Sequence, residues 1–191
     1  MIERKHAVRL AARSARSAYP RAARDVASQA VAARALTMRV IRDARTVLAY
    51  AATAEELDPA PLVAALRARG ARVAFPRVTG PGELALHWCA DASELAPGYC
   101  GVLEPDAGAE SADLAEIDVV LVPGTAFDAE CGRLGMGGGF YDRLLPLLRD
   151  DATALGLAFD EQIVEKVPAE AHDVPLDGVV TPTRTIVPGA R

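Results

Sequence analysis

Residues 118–143, DVVLVPGTAFDAECGRLGMGGGFYDR, decide how the chain is read. Val119–Val122 is an unbroken apolar run closed by Pro123, the pattern of a short strand buried on both faces. Small residues follow, then Gly137, Gly138 and Gly139, then Phe140, Tyr141 and the start of an amphipathic run. Strand, glycine-rich loop and helix in that order aim backbone N–H groups at an anion. The same order also serves as a tight strand-to-helix connection, and the glycines alone do not choose between the two.

Outward from this stretch, apolar runs at 46–51 (TVLAYA), 72–76 (RVAFP) and 153–158 (TALGLA) predict further short strands. Residues 83–88 alternate as a strand with one exposed face, and 179–187 read as extended with an interruption at Pro182. Trp88 on that alternating strand is read as packing, and His6 and His87 as incidental. Helices are expected over 3–17, 20–43, 59–69 and 139–149. Tyr19-Pro20 separates the first two, because the residue before a proline is pushed out of the helical region. In the second, Val26, Ala30, Ala33, Val40 and Ala44 recur at near-helical spacing and are expected to face the core. Asp58-Pro59 and Gly70 mark the ends of the third. One helical turn is expected at 93–95 and a short helix at 161–165. Residues 97–116, rich in Pro, Gly and acids, read as a long surface connection. Strands alternating with helices predict an α/β fold with a largely parallel central sheet, as one domain over 1–191. Ligands of such sheets sit beyond the carboxyl ends of the strands, where the loop after Val122 lies.

Composition narrows the function. With 51% apolar and 25% charged residues the chain is globular, and no apolar run reaches the ~18 residues of a membrane span. The basic N-terminus lacks the apolar core of a signal peptide, so a cytoplasmic protein is expected. A net charge of −5 argues against a non-specific nucleic-acid partner. Cys89, Cys100 and Cys131 form no CxxC pair and are read as free structural thiols. Eight arginines and one lysine lie within the first 39 residues, against Glu3 and Asp25 alone. They form either a solvated helix face or a wall for a phosphate-bearing ligand.

The loop lacks the GxxxxGK[ST] of a Walker site and, read as GxGxxG, ends on Phe140. Its flanks carry chemistry all the same. Arg133 can offer a planar fork of donors to a phosphate. Asp142 either favours the helix dipole or holds Mg²⁺ beside phosphates, and Asp173 is a second loop acid of the same kind. His172 beside Asp173 raises acid–base catalysis, but sequence neighbours rarely point at one atom, and no serine or cysteine sits in a nucleophile elbow.

Separated pieces of the chain then converge. The stretch LVPGTAFDAECGRLGMGGGFYDR resembles the signature of the 5-formyltetrahydrofolate cyclo-ligase family. Lys5 and Arg9 match an N-terminal basic pair. Glu55-Glu56-Leu57, Phe75-Pro76-Arg77, Leu103-Glu104-Pro105, residues 157–162 (LAFDEQ) and residues 172–177 (HDVPLD) fall in the family's order. The resemblance implies a three-layer fold of the sugar-phosphate isomerase or CoA-transferase kind, with residues 1–45 packing on a nucleotide site. It implies a monomeric ligase that converts 5-formyltetrahydrofolate and ATP to 5,10-methenyltetrahydrofolate, ADP and phosphate with Mg²⁺. Lys5, Arg133 and Asp142 would be catalytic. Lys5, Arg9, Arg133, Leu134, Gly135, Met136, Gly137, Gly138, Gly139, Phe140 and Tyr141 would surround the triphosphate. Glu56, Met136 and Tyr141 would meet the folate, and Asp142 and Asp173 would hold Mg²⁺. Met136 and Cys100 depart from some members, which carry an arginine and an aromatic residue there. Two other readings stay open on the residues alone: a phosphosugar isomerase-like enzyme without ATP, and a folate- or nucleotide-binding regulator without turnover.

Overall fold

The computed structural model describes residues 2–170 and 173–189; His172 lies outside them. In chain order the elements are α1 (Ile2–Ala18), α2 (Arg21–Ala35), α3 (Arg39–Asp43), β1 (Thr46–Leu48), α4 (Ala60–Ala68), β2 (Arg72–Gly80) and β3 (Glu83–Trp88). Then come β4 (Leu95–Pro97), β5 (Leu103–Pro105), β6 (Val119–Val122), β7 (Ala126–Phe127), β8 (Arg133–Leu134), α5 (Phe140–Leu144), β9 (Thr153–Leu157), β10 (Gly178–Val180) and β11 (Thr185–Ile186).

The apolar run of β6 takes the middle of the sheet, where both faces are covered. Among the described residues seven strands pair in the order β11-β10-β9-β6-β1-β2-β3. The inner pairs are parallel, and the outermost strands β3 and β11 are antiparallel to their neighbours. Val119 and Leu121 face one layer, packed with Ala27, Val31, Leu62 and Leu66 of α2 and α4. Val120 and Val122 face the other, with Phe127, Leu144, Leu145 and Leu176. The chain is thus a single mixed α/β domain with a mostly parallel sheet. Because the central strands are parallel, the segments that follow β1 and β6 leave from one edge, and the site lies there.

Several expectations need correction. The helix expected over 20–43 breaks into α2 and α3. Met38 is extended, and the Thr37 hydroxyl donates to the Arg34 carbonyl at 2.7 Å, taking an acceptor that a continuing helix would use. The buried stripe is Ala27, Val31 and Ala35 with Ser28 and Ala32, whereas Val26 is 69% exposed and Val40 39%. The face read from the sequence was the wrong one, because alanine on all sides leaves little contrast between faces.

The helix expected over 139–149 stops at Leu144 and gives way to one 3-10 turn, Leu145–Leu147, which holds Pro146. The stretch 97–116 is more than a surface connection. β4 and β5 pair antiparallel within it, and residues 109–112 run beside β3. Trp88 N–H donates to the Glu110 carbonyl at 2.8 Å and Ala112 N–H to the Leu86 carbonyl at 2.8 Å. This covers the free edge of the sheet and buries His87, whose expected exposed face is lost. Pro182 divides the final segment into the β10–β11 hairpin.

Gly156 sits in β9 where the Phe127 ring packs against the strand. A Cβ there would lie 2.7 Å from Phe127 Cε1 and 2.9 Å from Leu176 Cδ1. Gly156→Ala is therefore expected to lower stability by about 1–3 kcal/mol, read as a fall in the urea midpoint. An unchanged midpoint would contradict this packing.

Candidate active site

The loop that follows β6 is built from the bottom by Asp128. Its buried carboxylate accepts the backbone N–H groups of Glu130 (3.0 Å), Gly132 (2.8 Å) and Val167 (2.8 Å), closing the β7–β8 hairpin. That hairpin directs Arg133 back under the glycines. The Arg133 side chain is only 5% exposed; it donates to the Pro123 carbonyl at 3.2 Å, pairs with Asp142 and lies over the Tyr141 ring at 5.6 Å. Arg133 thus braces the loop between the end of β6 and the start of α5. Gly137 (φ +107°) and Gly139 (φ +69°) turn the backbone through left-handed conformations that side chains disfavour.

Helix α1 crosses this loop. Lys5 and Arg9, one turn apart, meet different partners. Arg9 Nε donates to the Gly135 carbonyl at 2.9 Å. Lys5 Nζ donates to Asp173 Oδ2 at 2.6 Å and Glu170 Oε2 at 2.8 Å. Burial draws the Lys5 pKa down, but the hydrogen bonds and charges of Asp173 and Glu170 more than offset it and leave it raised. From the segment after β1 comes Glu56, whose Oε2 accepts the Thr53 N–H at 2.9 Å and whose side chain is 11% exposed.

Lys5, Arg9, Glu56, Arg133 and the glycine loop line one cavity of about 440 Å³. It brings together the expected residues Lys5, Arg9, Glu56, Arg133, Leu134, Gly135, Met136, Gly137, Gly138, Gly139, Phe140, Tyr141, Asp142 and Asp173. Their burial differs. The Leu134 side chain is 3% exposed and packs with Ala12, Ala126 and Val167, whereas Met136 is 59% exposed at the rim. The Tyr141 hydroxyl is buried without a hydrogen-bond partner among the described residues; burial pushes its pKa up, opposed by Arg133 and reinforced by Glu56.

Tyr50, Thr53, Tyr99 and Glu104 line the same cavity and were not singled out from the sequence. Glu104, 5% exposed, accepts the Val78 N–H at 3.3 Å, and the Tyr99 ring meets Phe140 edge-on at 6.0 Å. Only the run Leu103-Glu104-Pro105 pointed toward this wall, and it lay in a stretch read as surface. Cys100, at the left-handed φ of 53°, also faces the cavity.

For a divalent cation the arrangement fits in one way. Among the described residues no three His, Cys, Asp or Glu side chains gather as a metal cage. Asp142 and Asp173 nevertheless both reach the cavity wall, and Mg²⁺ in nucleotide sites commonly takes one or two carboxylates plus phosphate oxygens and water. No described helix is long and apolar enough to cross a membrane.

Comparison with known proteins places the chain among similar sequences and folds. A sequence model of the 5-formyltetrahydrofolate cyclo-ligase family matches residues 1–182. The chain is 38% identical over 161 residues to 5-formyltetrahydrofolate cyclo-ligase of Escherichia coli strain K12, covering 82% of this chain and 88% of that one. Over 152 residues it is 36% identical to the protein of that name from Mycolicibacterium smegmatis, covering 75% and 76%. The solved structure of Aquifex aeolicus 5,10-methenyltetrahydrofolate synthetase superposes with a TM-score of 0.84 at 28% identity, covering 98% of this chain and 94% of that one. The synthetase of Mycoplasma pneumoniae, at 21% identity and a TM-score of 0.76, covers 93% and 98% and shares the fold.

The raised Lys5 pKa has a consequence for stability. A cation with a raised folded-state pKa contributes fully below its ordinary value, here 10.5, and loses that contribution as pH rises through the raised one. Lys5→Met is expected to cost about 1 kcal/mol near pH 8, and the gap to wild type to narrow above pH 10.5 in urea unfolding. A gap constant across that range would contradict the pairing.

Proposed function

The chain belongs to the 5-formyltetrahydrofolate cyclo-ligase family, and we propose that the cavity between α1, the glycine loop and Glu56 is where it closes 5-formyltetrahydrofolate to 5,10-methenyltetrahydrofolate with ATP. One observation carries the reading: Lys5, Arg9, Asp142, Asp173 and Glu56, scattered over the chain, line a single cavity with the glycine loop.

The formyl oxygen is a poor leaving group, so the reaction needs it phosphorylated. In the proposed sequence that oxygen attacks the γ-phosphorus of ATP and ADP departs. N10 of the folate then attacks the activated formyl carbon and gives up its proton. The C–O bond breaks, and phosphate carries the formyl oxygen away as the five-membered ring closes. Such chemistry asks the protein for positioning and charge, and no covalent nucleophile is needed.

The residues divide this work. The backbone of Gly135 to Gly139 wraps the triphosphate, while Lys5 and Arg9 bring positive charge from α1. Arg133 holds the loop in shape and adds charge from below. Asp142 and Asp173 would hold Mg²⁺, which would neutralise charge on the phosphate oxygens. Glu56 accepts paired N–H donors of the pterin ring. Tyr141 lines the cavity, and its buried hydroxyl donates to an oxygen of the bound substrate. We place its work, as a monomer, in the cytoplasm.

The direct test mixes the protein with 5-formyltetrahydrofolate and MgATP and follows the methenyl product by absorbance, with ¹⁸O in the formyl group. Product is expected to form with the label in released phosphate. ATP binding without product would favour a regulator, and product with unlabelled phosphate would overturn the phosphorylation step. Asp142→Asn is expected to lower turnover on the order of 100-fold. Asparagine keeps an acceptor for Arg133, so the urea midpoint should reflect a loss of no more than about 1 kcal/mol. An unchanged rate at saturating Mg²⁺ would remove Asp142 from the metal site.

A further inference from the structure

Arg16 is the unexpected residue of α1. It lies in the last turn of the helix, yet its side chain is only 2% exposed. Its Nε and Nη1 are buried without a hydrogen-bond partner among the described residues. What it faces is charge: Glu55 Oε2 lies 3.6 Å from Nη2, and Glu56 Oε1 lies 3.8 Å from Nη1. Arg16 does not line the cavity, but Glu56 does.

We propose that Arg16 is a positioning residue for folate recognition, fixing the charge and orientation of the Glu56 carboxylate against which the pterin docks. The inference rests on the reading of Glu56 given above. Burying a guanidinium costs several kcal/mol unless its surroundings compensate. Here two nitrogens find no hydrogen-bond acceptor, and both ion-pair distances exceed those of a hydrogen bond. A local bonding network does not explain the residue; the two carboxylates do.

Glu55 and Glu56 are neighbours, and like charges set side by side in a partly dry site disfavour one another. The guanidinium supplies the counter-charge to both. Glu56 is then held on two sides: the Thr53 N–H engages Oε2 and Arg16 faces Oε1. The exposed Glu55, 46% accessible, takes the outer position. A carboxylate so held meets paired donors without reorienting, which is the benefit of preorganisation.

Substitution separates this role from simple packing. Arg16→Met keeps length and removes charge; Arg16→Lys keeps charge. With Arg16→Met, KM for 5-formyltetrahydrofolate is expected to rise roughly tenfold while KM for ATP stays within about twofold. Arg16→Lys should recover most of the loss. In a Glu56→Gln background, Arg16→Met should add less than about twofold, because the group it acts through is gone. An equal effect in both backgrounds, or equal shifts in both Michaelis constants, would overturn the proposal. If Arg16→Met does not fold, Arg16→Gln, which also removes the charge but stays polar, carries the same cycle: a folate KM raised in wild type and not in Glu56→Gln supports the role, and a rise in both or in neither overturns it. If Glu56→Gln alone leaves the folate KM unchanged, the Glu56 assignment fails and this inference with it; a raised KM with additive Arg16 effects fails the inference alone.

Discussion

The site depends on one clasp. Lys5 and Arg9, adjacent on one face of α1, hold Asp173 and the Gly135 carbonyl respectively, and so draw the first helix onto a loop more than 120 residues away in sequence. Without α1 the cavity would lose the wall that carries Lys5 and Arg9. The helix has modest apolar means of docking. Ala12 packs with Ala126, Leu134 and Val167, and beyond its end Tyr19 stacks on Phe159 with ring centroids 4.5 Å apart. Polar contacts at the site therefore take part in placing the helix, and the groups proposed to bind substrate also help to form the cavity.

Most charges in and around this cavity face an opposite charge. Lys5 meets Asp173 and Glu170, Arg133 meets Asp142, Arg16 meets Glu55 and Glu56, and Arg77 lies 3.8 Å from Glu104. Ion pairs of this sort contribute little net stability once desolvation is counted. Their effect is arrangement: each charge is held in place where a triphosphate or a pterin is proposed to dock. Tyr141 is different, because its buried hydroxyl has no partner among the described residues. A donor of that kind is costly to leave alone and is well used by a ligand.

Much of this was legible in the sequence, for physical reasons that differ by region. Val119–Val122 announced a central strand because parallel strands covered on both faces read as apolar runs. Gly137 and Gly139 announced backbone turns that other residues disfavour. That Lys5 and Asp173 share a site came only through family resemblance, since no local pattern joins residues 168 positions apart, and their direct ion pair had no signal in the sequence. The buried face of α2 was misread because alanine gives nearly the same signal wherever it stands. The wall formed by Tyr99 and Glu104 was missed because a stretch rich in Pro, Gly and acids looks solvated, although residues 109–112 pair along the sheet edge and Glu104 is buried. Arg16 gave no sign of burial, since an arginine in an arginine-rich helix reads as a solvated face.

The central claim is that one nucleotide site is assembled from α1 and the glycine loop together. Hydrogen–deuterium exchange with and without MgATP tests it most directly. The account predicts slower exchange on MgATP binding in two separate segments, residues 2–12 and 133–142. Protection confined to 133–142, with α1 exchanging as before, would contradict it.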